Sequence, residues 1–115
     1  MGDKVTRIVL KDMPKVSLNA WYASQHWTKR KQIKDTYAWL IKSKVKGKFS
    51  KDKQYEVDYV FGFKKNPLDA TNVVGMAKLV EDQLFEDDKY NIILKVSMSS
   101  IKAKEDFIEI TVKEI

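Results

Sequence analysis

Residues 55–84, YEVDYVFGFKKNPLDATNVVGMAKLVEDQL, change their hydrophobic pattern from alternation to helical spacing. In residues 55–63 apolar side chains alternate with Glu56 and Asp58, a pattern typical of a strand that buries one of its two faces. The face predicted to be buried carries Tyr55, Val57, Tyr59 and Phe61. This segment therefore predicts a β-strand over residues 55–63.

A break and then a helix follow this strand. Residues 64–67, KKNP, interrupt the pattern because proline has no backbone N–H to donate. Residues 70–84 then place apolar side chains three and four positions apart, which predicts a helix with Asp69 or Thr71 as its N-cap. The predicted core face carries Val73, Ala77, Val80 and Leu84, and the predicted opposite face carries Thr71, Gly75, Lys78 and Asp82.

The remaining elements lie on either side of this segment. Residues 4–10 predict a first strand, and residues 25–46 predict a first helix that stops near Gly47. Residues 89–97 and 106–115 predict two further strands. The order β-α-β-α-β-β predicts an α+β fold, in which two helices pack on a mixed, largely antiparallel sheet.

Length and composition limit the classes of protein that fit. A chain of 115 residues with 43% hydrophobic residues predicts one domain over residues 1–115. Because there is no cysteine, disulfides, thiolate metal sites and cysteine nucleophiles are excluded. No apolar run is long enough for a signal peptide or a membrane span, so we expect a cytoplasmic protein without membrane contact.

Charge is divided unevenly along the chain. Residues 1–53 contain 14 Lys or Arg and 4 Asp or Glu, a net charge of +10, whereas residues 54–115 contain 8 and 12, a net charge of −4. A basic segment suits a polyanion because neutralised phosphates release counterions, and an acidic cluster suits a divalent cation. Together the two halves predict metal-dependent chemistry on the phosphates of a nucleic acid.

The second helix collects the groups that such chemistry requires. Lys78 and Asp82 share its polar face, Asp69 precedes it, and the acidic pair Asp87-Asp88 follows it. Phosphodiester hydrolysis needs hard oxygen ligands for Mg²⁺ and a cation near the transition-state charge. The alternative interpretation is structural: Lys78 and Asp82 form a surface pair at i,i+4, and the acidic residues form a solvated turn.

A family resemblance favours the functional interpretation. Residues 68–84, LDATNVVGMAKLVEDQL, followed by Asp87-Asp88, resemble the central motif of RusA-like Holliday junction resolvases, usually D-x-D-N-x-x-K-x-x-x-D-x-L and then D-D. The N-terminal half is also similar to phage-type members of that family. The matching elements there are Ser17-Leu18-Asn19, Trp27, Lys29-Arg30-Lys31 and Ile33-Lys34.

The resemblance implies a homodimeric, Mg²⁺-dependent endonuclease, with Mn²⁺ as a substitute ion, that resolves four-way DNA junctions by paired nicks. The catalytic residues that it implies are Asp69, Lys78 and Asp88. The metal ligands that it implies are Asp69, Asp82, Asp87 and Asp88. The predicted contacts to DNA are Trp27, Lys29, Arg30, Lys31, Lys34 and Asn72, most of them in a basic helix whose charge suits phosphates.

Two positions depart from the family pattern. Thr71 stands where a second aspartate is usual, and Lys78 lies three residues further from Asn72 than in the commonest spacing. If this spacing turns Asp69 away, the ligand set has to be completed by Glu81, Asp82 or Asp87. Two other functions stay open: a non-catalytic nucleic-acid-binding module that has lost part of its metal site, and a protein-interaction domain with an incidental basic surface.

Overall fold

Six elements follow one another in a computed structural model that describes residues 4–16 and 27–115, with side chains from residue 29 onward in the second range. They are β1 (Val5–Lys11), α1 (Trp27–Lys44), β2 (Tyr55–Phe63), α2 (Val74–Leu84), β3 (Ile93–Lys102) and β4 (Phe107–Glu114). Two helices and a four-stranded mixed sheet in one domain confirm the predicted α+β fold and its β-α-β-α-β-β order. None of the helices in these ranges is long and apolar enough to cross a membrane.

The sheet has the strand order β1-β4-β2-β3. β4 pairs antiparallel with both β1 and β2, whereas β2 and β3 are parallel. A parallel pair needs a crossover connection, and α2 provides it between β2 and β3. The helix that carries the predicted site residues is therefore fixed between two adjacent strands.

The helices pack on one face of the sheet and contact each other there. A row of buried side chains crosses that face through Ile8, Ile110 and Tyr59, which are cross-strand neighbours. From α1, Tyr37 and Ile41 enter the same core, because positions four apart lie on one side of a helix. Burial of such large side chains is the main favourable contribution to folding.

The predicted position of the first helix agrees with α1 over most of its length. The interval 17–26 is not described, so the predicted start at residue 25 lies outside the described residues. At the other end, α1 stops at Lys44, two residues before the predicted end. Gly47 follows with a φ of 78°, a left-handed conformation that glycine adopts without steric cost.

The second helix begins later than the sequence predicts, at Val74 instead of Ala70. The backbone carbonyl of Asp69 accepts hydrogen bonds from the N–H groups of Asn72 and Val73, so residues 70–73 form turns. Val73 occupies the N-cap position and no side chain caps the helix, so neither predicted N-cap residue has that role. The buried side chain of Val73 anchors this end by packing instead.

Two other expectations need correction. Gly75 is buried and does not belong to the polar face, because α2 has a buried arc that also includes Met76 and Leu79. β3 occupies Ile93–Lys102 instead of residues 89–97. Its start is delayed because the N–H groups of Ile92 and Ile93 donate to the carbonyl of Lys89, which closes a turn.

Candidate functional site

An acidic pocket lies at the C-terminal end of α2. It has a volume of about 260 Å³ and combines five carboxylates with one lysine and one aromatic ring. The lining residues are Lys48, Glu81, Asp82, Phe85, Glu86, Asp87 and Asp88. Three of the predicted metal ligands, Asp82, Asp87 and Asp88, are therefore brought to one place.

Backbone pairing fixes the segment that carries the late acids. The N–H of Phe49 donates to the carbonyl of Leu84, and the N–H of Glu86 donates to the carbonyl of Phe49. The rings of Phe49 and Phe85 stack with their centroids 5.1 Å apart, and Tyr55 meets both rings edge-on. The acidic segment thus leaves α2 along a fixed path over an aromatic cluster.

Glu81 is a half-buried carboxylate of the pocket. The hydroxyl of Tyr59, which is fully buried, donates a hydrogen bond to Oε1 of Glu81 at 3.0 Å. Burial raises the pKa of Glu81, and the negative charges of Asp88 and Asp82 raise it further, while the Tyr59 bond and Lys78 lower it. Asp82 and Asp88 line the same pocket as this carboxylate.

Two lysines border the same acids. Nζ of Lys48 donates to the backbone carbonyl of Asp82 at 3.1 Å, which holds a positive charge beside the pocket. Lys78 and Asp82 are both exposed on α2, as the helical spacing predicts, and Lys78 acts electrostatically on Glu81. A phosphate that reaches the acids would therefore meet cations as well.

The two late aspartates differ in their contacts. Asp87 is half-buried, and its Oδ1 accepts a hydrogen bond from the N–H of Lys89 at 3.1 Å, while its Oδ2 lies 3.6 Å from Nζ of the same lysine. Asp88 is exposed and raises the pKa of both Tyr59 and Glu81. Asp88 is thus the late acid that combines proximity to Glu81 with access to solvent.

Asp69 lies at the other end of the helix. It precedes α2, whereas Asp87 and Asp88 follow it, and an α-helix of 11 residues is roughly 16 Å long. Asp69 does not line the acidic pocket, and neither do its exposed neighbour Thr71 and the half-buried Asn72. Of the predicted catalytic residues, Asp88 follows the C-terminal end of α2 and Asp69 precedes its start, while Lys78 lies in the middle of the helix.

The carboxylates of the pocket are the type of ligand that a hard cation such as Mg²⁺ prefers. Within residues 4–16 and 27–115, no group of three or more Asp, Glu or His side chains is arranged to hold a metal ion. Mg²⁺, however, is commonly bound through one or two carboxylates, with waters and substrate phosphates as the other ligands. One or two of the carboxylates of Glu81, Asp82 and Asp88 would meet that need. The Mg²⁺ site stays a prediction.

The basic helix presents its lysines to solvent. Lys29, Lys31 and Lys34 are exposed, and Lys31 pairs with Asp35 at 3.3 Å. Arg30 is half-buried. The side chain of Trp27 lies outside the described residues, as does the Ser17-Leu18-Asn19 element of the family resemblance.

Three residues at the site are only weakly indicated by the sequence: Glu81 and Lys48, which line the pocket, and Tyr59, which donates a hydrogen bond to Glu81. Glu81 was expected only as a replacement ligand, Tyr59 only as a core residue, and Lys48 had no predicted role. The signal for Glu81 was its position next to Asp82 in the last turns of α2. No sequence signal identifies Lys48, because its contact with Asp82 spans 34 residues and arises from the pairing of Phe49 with Phe85.

Comparison with protein-family models finds no match to this chain, and no curated protein matches it significantly. The resemblance of residues 68–88 to the RusA-like motif therefore stays a prediction. The chemistry of the pocket and of the basic helix is what supports a function.

Proposed function

We propose that the protein is a Mg²⁺-dependent endonuclease that binds four-way DNA junctions and nicks two strands, as RusA-like resolvases do. In this proposal it acts as a homodimer in the cytoplasm of a bacterial or phage-infected cell, in recombination, repair or phage DNA processing. The observation that carries the proposal is the joint position of Glu81, Asp82 and Asp88 beside Lys48 and Lys78.

Each group has a distinct task in this proposal. Glu81, held by Tyr59, and Asp88 would bind the cation, and Asp82 would assist from the exposed face of α2. When bound, Mg²⁺ supplies a Lewis acid and a more acidic water. Lys78 is exposed beside these acids and would stabilise negative charge on the phosphate. The lysines of α1 would hold the flanking DNA through its phosphates.

A second candidate is a nucleic-acid-binding module without catalysis. One observation favours it: Asp69, the first acid of the family motif, lies at the end of α2 opposite to Asp88, and Thr71 provides no carboxylate there. In this case the basic helix would retain affinity for phosphates while the acidic pocket would have only a structural role. The two candidates make opposite predictions for DNA cleavage.

The deciding experiment is cleavage of a labelled four-way junction with and without Mg²⁺. We expect nicked product with the wild-type protein only when Mg²⁺ or Mn²⁺ is present. Asp88→Asn should lower the cleavage rate by about 100-fold or more, because loss of a ligand to the ion removes charge stabilisation in the transition state. Junction affinity, measured by gel shift in Ca²⁺, should stay within about twofold or rise, because a negative charge is removed.

A matched control is Glu105→Gln, which removes an exposed carboxylate that pairs with Lys11 in the turn before β4. This variant should cleave like the wild type. Full cleavage by Asp88→Asn would reject the assignment of Asp88. A salt-sensitive shift without product in any divalent cation would favour the binding module, and the absence of any shift at moderate salt would reject both candidates.

A further inference from the structure

Trp39 is exposed in the middle of the basic helix. Its side chain is 71% accessible to solvent, whereas Tyr37 of the same helix is completely buried. The two residues are about 200° apart around the helix, so Trp39 lies on the side away from the core. An exposed tryptophan leaves a large apolar surface in water without contributing to the core.

The surroundings of Trp39 are polar. The residues one turn away on α1 are Asp35, Thr36, Lys42 and Ser43, and all four are exposed. Within the described part of α1, no other large apolar side chain is exposed, since Ile33 and Leu40 pack against the core. Protein-binding and membrane-binding surfaces are contiguous apolar patches, and a single ring among polar groups does not form one.

The charge around Trp39 favours an anionic partner. Residues 27–48 contain eight Lys or Arg and a single acid, Asp35. Asp35 lies one turn before Trp39 and is paired with Lys31, two turns before it, at 3.3 Å, while Lys42 lies one turn after Trp39. Lysines before and after an aromatic ring are the arrangement in which single-stranded nucleic acids are bound, because phosphates meet the cations while a base stacks on the ring.

We propose that Trp39 is a stacking platform for an unpaired base, with Lys31 and Lys42 contacting the phosphates on either side of it. The inference rests on the proposed nucleic-acid function and adds a substrate class to it, namely DNA that contains a single-stranded segment or splayed bases. A duplex keeps its bases stacked on one another, so it offers phosphates to the lysines but no free base to the ring.

The test compares Trp39→Leu, Trp39→Phe and Gln32→Ala as purified chains of 115 residues. Leucine keeps an apolar side chain without an aromatic face, phenylalanine keeps the face, and Gln32 is an exposed control on α1. Fluorescence anisotropy would measure the affinity of each for a labelled oligothymidine and for a blunt duplex of the same length. We expect Trp39→Leu to lose roughly 5- to 100-fold in affinity for the single strand and less than about twofold for the duplex.

Trp39→Phe should retain most of the single-strand affinity, and Gln32→Ala should bind like the wild type. Equal affinity of Trp39→Leu and wild type for oligothymidine, with binding otherwise intact, would overturn the stacking role alone. An equal loss of affinity for single strand and duplex would also overturn the stacking role. So would a shift of Trp39→Leu from dimer to monomer in analytical ultracentrifugation, because Trp39 would then be a subunit contact. No binding of any nucleic acid by the wild type would reject the proposed function itself.

Discussion

Glu81 is a half-buried acid whose charge the folded protein disfavours. Its carboxylate is partly removed from water, it accepts a hydrogen bond from a fully buried tyrosine, and two other acids act on it electrostatically. Such a group costs folding free energy when it is charged, because burial and like charges both disfavour the anion. Residues of this kind are common at binding sites, where a ligand offsets the cost.

The first prediction at this scale is that Glu81→Gln stabilises the protein at neutral pH by up to about 1 kcal/mol. Glutamine still accepts the hydrogen bond from Tyr59 but carries no charge. Because the pKa of Glu81 is raised above its ordinary value of 4.5, the folded protein binds this proton more tightly than the unfolded chain does. The penalty is therefore present above the raised pKa and is lost as the pH falls below 4.5.

Urea denaturation at neutral and at acidic pH would measure this difference between variant and wild type. The gain should disappear in acid, where the wild-type carboxyl is protonated, and Mg²⁺ should raise the melting temperature of the variant less than that of the wild type. A variant that is less stable at neutral pH would mean that the Tyr59 bond outweighs burial and repulsion. An equal response to Mg²⁺ would remove Glu81 from the cation site.

Gly62 leaves room for an aromatic ring of the neighbouring strand. It lies opposite Phe107 across the β2–β4 pair, on the face of the sheet away from the helices, and the Phe107 ring covers it. A Cβ atom at position 62 would overlap that ring. The glycine thus permits an aromatic side chain to cover the backbone of a neighbouring strand.

We expect Gly62→Ala to destabilise the protein by about 1–3 kcal/mol, because the Phe107 ring has to leave its position. The free energy of unfolding from urea titrations would measure it. In a Phe107→Ala background the same substitution should cost less than about 1 kcal/mol, since the colliding ring is gone. Equal costs in the two backgrounds would show that the strain comes from the backbone of β2 instead.

The elements that the sequence predicted best are those whose pattern is local. The bounds of β2 agree at both ends, because alternation from Tyr55 to Phe63 depends only on which face is buried. The start of α2 was wrong because Asp69 and Thr71 are good N-cap residue types, yet packing of Val73 moved the first turn. The predicted start of β3 was wrong because the N–H groups of Ile92 and Ile93 donate to the carbonyl of Lys89 and so form a turn instead of a strand.

The candidate site was predictable only in part, because only the spacing of residues along α2 is a local pattern. Helical spacing placed Lys78 and Asp82 on one exposed face of α2, which needs no tertiary information. Whether Asp69 meets Asp88 depends on the path of the chain beyond both ends of α2. Because α2 has 11 residues, acids before and after it are separated by the length of the helix, unless one of the flanking loops folds back along it. The sequence did not specify such a loop.

At the scale of the whole molecule, the lysines of α1 and the carboxylates of the pocket come from opposite halves of the chain. The exposed lysines of α1 belong to the half of the chain with a net charge of +10, and the acidic pocket belongs to the half with −4. The two regions are linked by the short segment that contains Lys48, which reaches the backbone of Asp82. DNA held on the basic side would therefore be drawn toward the acids only when a cation neutralises them.

This distribution of charge predicts that DNA binding depends strongly on salt concentration, and that the lysines of α1 account for much of this dependence. Each phosphate contact contributes about −0.9 to the slope of log affinity against log salt concentration on duplex DNA. The double variant Lys29→Gln, Lys34→Gln should therefore reduce the magnitude of that slope by about 2 and weaken binding at every salt concentration. The matched control is Lys102→Gln, Lys104→Gln, which removes the same charge from exposed lysines at the end of β3 and the turn after it.

Anisotropy titrations on one four-way junction over a series of salt concentrations would measure the slope for both double variants. If affinity depended on net charge alone, both variants would change the slope equally and α1 would have no special role. If only the α1 variant changes it, the contacts lie along that helix, because exposed charges more than a Debye length, about 10 Å at moderate salt, from the bound DNA are largely screened.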